Sequence, residues 1–245
     1  MTPSASPRPV FVTGSTRGIG HAIAAAFVAA GDRVTVHGRS AESAERARAE
    51  LGAHAGVAAD VTDAEALEAA LASAAERAGP IEVLVNNAGA AETAPLSRLD
   101  VDQMRRMMAL NVEPVLTAIR AVVPAMKAAG TGRIVSVAST AGLKGYAYVG
   151  AYTAAKHAVI GLTRSLARDF GPFGVRVNAV APGWIMTERQ LELWVTPETE
   201  KDIYANQCLK RRLVPDDIAR VVVFMCSDEA GAITNQHYVV DGGWT

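Results

Sequence analysis

Tyr152 and Lys156 stand four positions apart in Tyr152-Thr153-Ala154-Ala155-Lys156, inside an alanine-rich stretch of helical character. About one helical turn separates them, so both side chains share a face. An ammonium beside a phenol stabilises the phenolate and lowers the tyrosine pKa from its usual value of about 10. Such a hydroxyl can trade a proton with a substrate near neutral pH. Ser139 lies upstream at the end of an apolar run, where its hydroxyl could bond the same oxygen. Each residue also has an ordinary use. A serine at a strand end caps turns, an asparagine such as Asn111 can N-cap a helix, and Tyr-x-x-x-Lys pairs occur on solvated helix faces. Tyr146 and Tyr148 are nearby phenols, but neither has a lysine four residues on.

A second pattern opens the chain. Thr13-Gly14-Ser15-Thr16-Arg17-Gly18-Ile19-Gly20 follows a β-branched run and begins a helical one. Glycines tolerate positive φ and let a backbone approach a pyrophosphate closely. The free N–H groups and positive dipole end of the following helix favour phosphate. A plain strand-to-helix turn is the bland alternative, and the position on the first βα unit favours dinucleotide binding.

The elements that must hold these residues alternate. Short β-branched runs at 10–13, 33–37, 56–59, 81–86, 132–139, 175–181 and 237–241 are separated by helical stretches near 18–30, 41–51, 63–78, 100–128, 151–170 and 216–227. That rhythm predicts an α/β fold, a doubly wound parallel sheet with helices on both faces. Runs such as Ile81-Glu82-Val83-Leu84-Val85 are too apolar for a sheet wet on one side. Residues 1–9, with three prolines, read as a mobile tail, and 10–245 as one domain. Pro114 and Pro124 fall within the 100–128 stretch and must bend it or shift its start. Residues 188–212 break the rhythm and predict a substrate lid or small helical insertion.

The glycine spacing, Gly-x-x-x-Gly-x-Gly, resembles that of the short-chain dehydrogenase/reductase family, and the resemblance runs from Val10 to Trp244. Asn86-Asn87-Ala88-Gly89 is similar to that family's Asn-Asn-Ala-Gly motif, and Asn111, Ser139, Tyr152 and Lys156 match its catalytic tetrad in order and spacing. Pro182-Gly183, with Ile185 and Thr187 beyond, resembles its nicotinamide-side loop, and Asp60-Val61 its adenine-contacting pair. The resemblance implies a Rossmann-type fold, a cofactor site at Gly14–Gly20, Gly38, Arg39, Asp60, Val61, Asn87, Ala88, Gly89, Tyr152, Lys156, Pro182, Gly183, Ile185 and Thr187, and a homotetramer. It also implies roles: proton exchange by Tyr152, substrate positioning by Ser139, ribose binding by Lys156, and a water held by Asn111.

In Val36-His37-Gly38-Arg39-Ser40, Gly38 takes the place of the family's NAD-selecting aspartate. The gap it leaves, with Arg39 and Arg17 as phosphate partners, favours NADP(H) over NAD(H). For the substrate, residues 139–149 resemble members acting on 3-oxoacyl or 3-hydroxyacyl thioesters, whereas 183–210 resembles bacterial aldose 1-dehydrogenases. The expectation is a reversible secondary alcohol–ketone oxidoreductase, leaning to a 3-oxoacyl-type ketone. An aldose 1-dehydrogenase is the alternative, and a non-catalytic dinucleotide-binding sensor or scaffold is the alternative of another class.

Other classes fit poorly. A net charge of −1 gives no electrostatic case for nucleic acid or an anionic membrane. No apolar run reads as a membrane span of about 18 residues. His21, His37, His54, His157 and His237 form no zinc spacing, so no metal is expected. Cys208 and Cys226 read as free thiols of a cytoplasmic protein.

Overall fold

The structure, a computed structural model, describes residues 6–245. Seven strands form one parallel sheet: β1 (Pro9–Val12), β2 (Arg33–Gly38), β3 (Ala55–Ala58), β4 (Val83–Asn86), β5 (Gly132–Val137), β6 (Val175–Pro182) and β7 (His237–Val240). Their order is β3-β2-β1-β4-β5-β6-β7. Strand order reverses between β1 and β4, and the crevice beyond their carboxyl ends is where such sheets bind ligands.

The helices are α1 (Gly18–Ala29), α2 (Ala41–Leu51), α3 (Ala64–Ala78), α4 (Val101–Asn111), α5 (Glu113–Ala129), α6 (Ala141–Lys144), α7 (Gly150–Phe170), α8 (Glu188–Leu193), α9 (Pro197–Asn206) and α10 (Pro215–Met225). Strand side chains alternate between two cores, as the two-residue pleat requires. Phe11, Leu84, Ile134 and Val177 face a cluster with α3, α5 and α7. Val10, Val12, Val34, Val83 and Val135 face the opposite side, with Ile23 and Phe27 of α1 and Ile218 and Val222 of α10.

Two expectations need correction, for the tail and for the apolar run at 101–129, and two open alternatives are decided. Pro9 opens β1, and Arg8 is buried with its guanidinium 2.7 Å from Asp32, so neither belongs to a free tail; residues 1–5 lie outside the described residues. The 100–128 helix is two helices, broken at Val112, with Pro114 in the first turn of α5, where its missing N–H costs nothing. Pro124 remains inside α5. Across α4 and α5 the run 101–129 contains a stretch long and apolar enough for a membrane span by length and composition. Its buried residues, among them Met107, Val115, Ala118, Ile119 and Val122, belong to the sheet-facing core. Lastly, the 188–212 segment is helical, as one of its two expected forms, and carries α8 and α9, each N-capped by a threonine: Thr187 accepts from the Gln190 N–H and Thr196 from that of Thr199.

Candidate active site

The glycine turn is braced before any ligand reaches it. Ser15 Oγ donates to the Val12 carbonyl (2.8 Å) and accepts from the His37 N–H (2.8 Å). His37 Nδ1 accepts from the Gly14 N–H at 3.1 Å, which fixes the neutral imidazole. Burial pushes the His37 pKa down to about 4, consistent with that role. Asn87 Nδ2 donates to the carbonyls of Thr13 and Gly14, at 3.0 Å each. Gly14 and Gly18 have φ of 62° and 58°, and a Cβ on Gly20 would strike the Gly14 carbonyl and Asn87. Glycine is required here for both conformation and space.

From this turn a cleft of about 1180 Å³ runs across the carboxyl ends of the strands. Gly14, Thr16, Arg17, Gly18, Ile19 and Gly20 line one end, with Gly38, Arg39 and Val61. Asn87, Ala88 and Gly89 line the middle, and Ser139, Tyr152, Lys156, Pro182, Gly183, Ile185 and Thr187 the other end. Three expected residues lie off its walls. Ser15 is spent on the brace described above. Asp60 turns its carboxylate to Thr62, accepting from its N–H (2.9 Å) and Oγ1 (2.7 Å). Asn111 sits behind Gly89 at the end of α4. Sequence reasoning missed His37, Ser43, Arg46 and Leu110 as lining residues, whereas Glu188, Arg189 and Gln190, which also line the cleft, fall in the segment expected as a substrate lid. For His37 the available signal was its place beside Gly38 at the end of a strand; the histidines were weighed only as metal ligands.

Close packing assembles the tetrad. A Cβ on Gly142 would lie 2.8 Å from the Lys156 carbonyl carbon, so α6 presses onto α7 and brings Ser139 to Tyr152. A Cβ on Gly89 would lie 2.5 Å from Asn111 Oδ1 and 3.3 Å from Lys156 Nζ. Asn111 Nδ2 donates to the carbonyls of Ala90 (3.0 Å) and Met107 (3.1 Å), while its buried Oδ1 has no partner. Lys156 Nζ donates to the Val137 carbonyl at 2.9 Å and lies 5.7 Å from the Tyr152 ring centroid.

The electrostatics differ from the sequence expectation. Burial pushes the Tyr152 phenol up, and its hydrogen bond with Ser139 opposes that, whereas the lysine contributes no resolved lowering. Burial also pushes Lys156 down to about 8. The two shifts run in opposite directions, so burial favours the neutral phenol and eases deprotonation of the ammonium. The space expected beside Gly38 is filled as well: a Cβ there would lie 2.6 Å from Thr16 Cγ2 and 2.8 Å from Ser43 Oγ. Arg17 and Arg39 are both exposed at that end, and the Asp60 carboxyl is held below its usual pKa first by the Thr62 hydrogen bonds and to a lesser degree by the Arg39 guanidinium. A glycine cradle, a helix N-terminus and a cleft reaching from two arginines to Tyr152 together fit an extended dinucleotide.

A family model described as enoyl-(acyl carrier protein) reductase matches residues 14–245. Galactitol 2-dehydrogenase (L-tagatose-forming) of Cereibacter sphaeroides is 40% identical over 96% of this chain and 93% of its own. The crystal structure of 3-oxoacyl-[acyl-carrier protein] reductase from Brucella melitensis has a TM-score of 0.92 at 34% identity, covering 98% of this chain and 92% of its own. A 7α-hydroxysteroid dehydrogenase complexed with NADH and 7-oxo glycochenodeoxycholic acid also scores 0.92, at 32% identity, covering 97% and 94%. With the cleft, the tetrad and these relatives in agreement, the chain belongs to the short-chain dehydrogenase/reductase family, oxidoreductases that act on CH–OH groups with a nicotinamide dinucleotide.

Proposed function

We propose that the protein interconverts a secondary alcohol and its ketone with NADP(H), with a 3-oxoacyl-type carbonyl as the leading substrate class. The carrying observation is the packing of Ser139 against Tyr152, with Lys156 and Asn111 meeting beside Gly89. The bound dinucleotide supplies or accepts the hydride. Gly14, Gly18 and Gly20 admit its pyrophosphate, and Arg39 with Arg17 pairs the 2′-phosphate. Ser139 Oγ hydrogen-bonds the substrate oxygen and holds it beside the phenol. Tyr152 Oη gives that oxygen a proton in reduction and removes one in oxidation. Lys156 Nζ has donors to spare beyond Val137 and holds a ribose hydroxyl. The unpartnered Asn111 Oδ1 accepts from a water beside Lys156, through which the proton is replaced.

One observation favours a second reading. Glu188, Arg189 and Gln190 line the substrate end of the cleft. Polar and charged groups there suit a polyhydroxylated substrate, such as a sugar or sugar alcohol, better than an acyl chain. Nucleotide oxidation or reduction across a panel of 3-oxoacyl thioesters, simple ketones, polyols and aldoses separates the two readings. Dinucleotide binding without turnover on any of them would instead leave a sensor. We also propose a cytoplasmic homotetramer, on the family resemblance and the apolar residues that α4 and α5 expose.

A further inference from the structure

We propose that Thr16 is a specificity-determining residue of the dinucleotide site: with Ser43 it closes the space beside Gly38, so that no side chain of any charge stands there. The inference rests on the reading of the Gly38 end of the cleft as the adenine-ribose end.

An acidic residue at position 38 would discriminate dinucleotides by charge and hydrogen bonding. This site excludes the residue by shape. Both walls of the space are side chains, Ser43 held by hydrogen bonds and Thr16 limited by its branching. Thr16 is half-buried within the glycine turn, between the positive-φ glycines 14 and 18. It is β-branched, so turning its methyl away puts Oγ1 in the same place in one of the two remaining rotamers. Ser43 is held on the first turn of α2: its N–H donates to Ser40 Oγ at 3.2 Å and its Oγ to the Ser40 carbonyl at 2.9 Å. A Cβ on Gly38 falls within 3 Å of both side chains. Positions 16 and 38 are therefore energetically coupled, and an aspartate at 38 must displace the Thr16 and Ser43 side chains before it can meet a ribose. Selectivity here is set by a pair of positions, and the glycine alone does not carry it.

The test is a double-mutant cycle on dissociation constants for NADPH and NADH, read from the fluorescence change of each reduced nucleotide on binding. Gly38→Asp alone should weaken both nucleotides by about tenfold or more, and Gly38→Ala should share that loss although it adds no charge. Thr16→Ala should improve NADH binding about tenfold more in the Gly38→Asp background than in the parent, and the double variant should prefer NADH. Tighter NADH binding by Gly38→Asp alone, parent-like binding by Gly38→Ala, or additive effects at positions 16 and 38 would each overturn the proposal. Should Gly38→Asp fail to fold, the cycle of Thr16→Ala with Gly38→Ala carries the same decision. The parent's own choice between nucleotides is read separately: a preference for NADH rejects the NADP(H) reading and leaves the coupling to be judged by the cycle.

Discussion

At the scale of the residue, the proposed tetrad combines Tyr152, read as the group that moves a proton, with Lys156, whose burial is costly. Tyr152→Phe removes the hydroxyl and keeps the ring, so turnover should fall by about 10²–10⁴ while nucleotide affinity stays near the parent's. Nearly full activity in that variant would remove Tyr152 from the proton-transfer role. Lys156 allows a test that needs no substrate. Its folded pKa of about 8 lies below the ordinary lysine value. Below pH 8 the folded protein bears the full cost of a buried ammonium, on the order of 3 kcal/mol. Between about 8 and 10.5 the unfolded chain binds the proton that the folded one lacks, so stability rises with pH in that window. Lys156→Met should therefore melt higher than the parent at pH 7, less the lost bond to Val137, and the gap should close towards pH 10.5. A gap that widens with pH would contradict this account. The pairing of Tyr152 with Lys156 was legible from spacing, and Ser139 and Asn111 joined it through the family resemblance. The direction of the Tyr152 shift and the filled space at Gly38 were not, because burial and the neighbours of a missing Cβ are properties of packing.

At the scale of the element, strands and long helices were readable from period, and their ends from capping. The break between α4 and α5 had its signal in Pro114, which fits a first turn better than a helix interior. α8 and α9 had theirs in Thr187-Glu188 and Thr196-Pro197-Glu198, each an N-cap followed by an acid in the first turn. α6 had no such signal, since a four-residue helix is held by contact with α7 and has almost no periodicity of its own. The ion pair that ties elements together was equally hidden. Arg8 joins β1 to Asp32 at the start of β2 and donates to the Cys226 carbonyl at the end of α10 (2.6 Å). Its partner carboxylate is almost fully buried. Asp32→Ala should cost about 3–5 kcal/mol in chemical denaturation, because it strands a buried guanidinium. Replacing both residues by apolar ones, Arg8→Met with Asp32→Leu, should recover most of that loss. Equal destabilisation by the single and double variants would mean that the pair is not the cause.

At the scale of the whole molecule, apolar side chains remain on the outside. Val101 of α4 is 65% exposed and Leu116 of α5 42%, and Tyr238 and Val239 of the edge strand β7 are also open. Edges and apolar faces of this kind are commonly covered by further copies in symmetric assemblies. Light scattering at micromolar concentration should give about four times the 25.6 kDa chain mass. A value near one chain would exclude the assembly. The packing of α1 under α10 has a different consequence, for synthesis. Ile23 and Phe27 of α1 are covered by α10, which begins only at Pro215. At ribosomal speeds the intervening chain takes roughly 10–40 s to make. For that time the first βα unit is out of the ribosome with one apolar face bare, and the protein can finish folding only when almost its whole length has been translated.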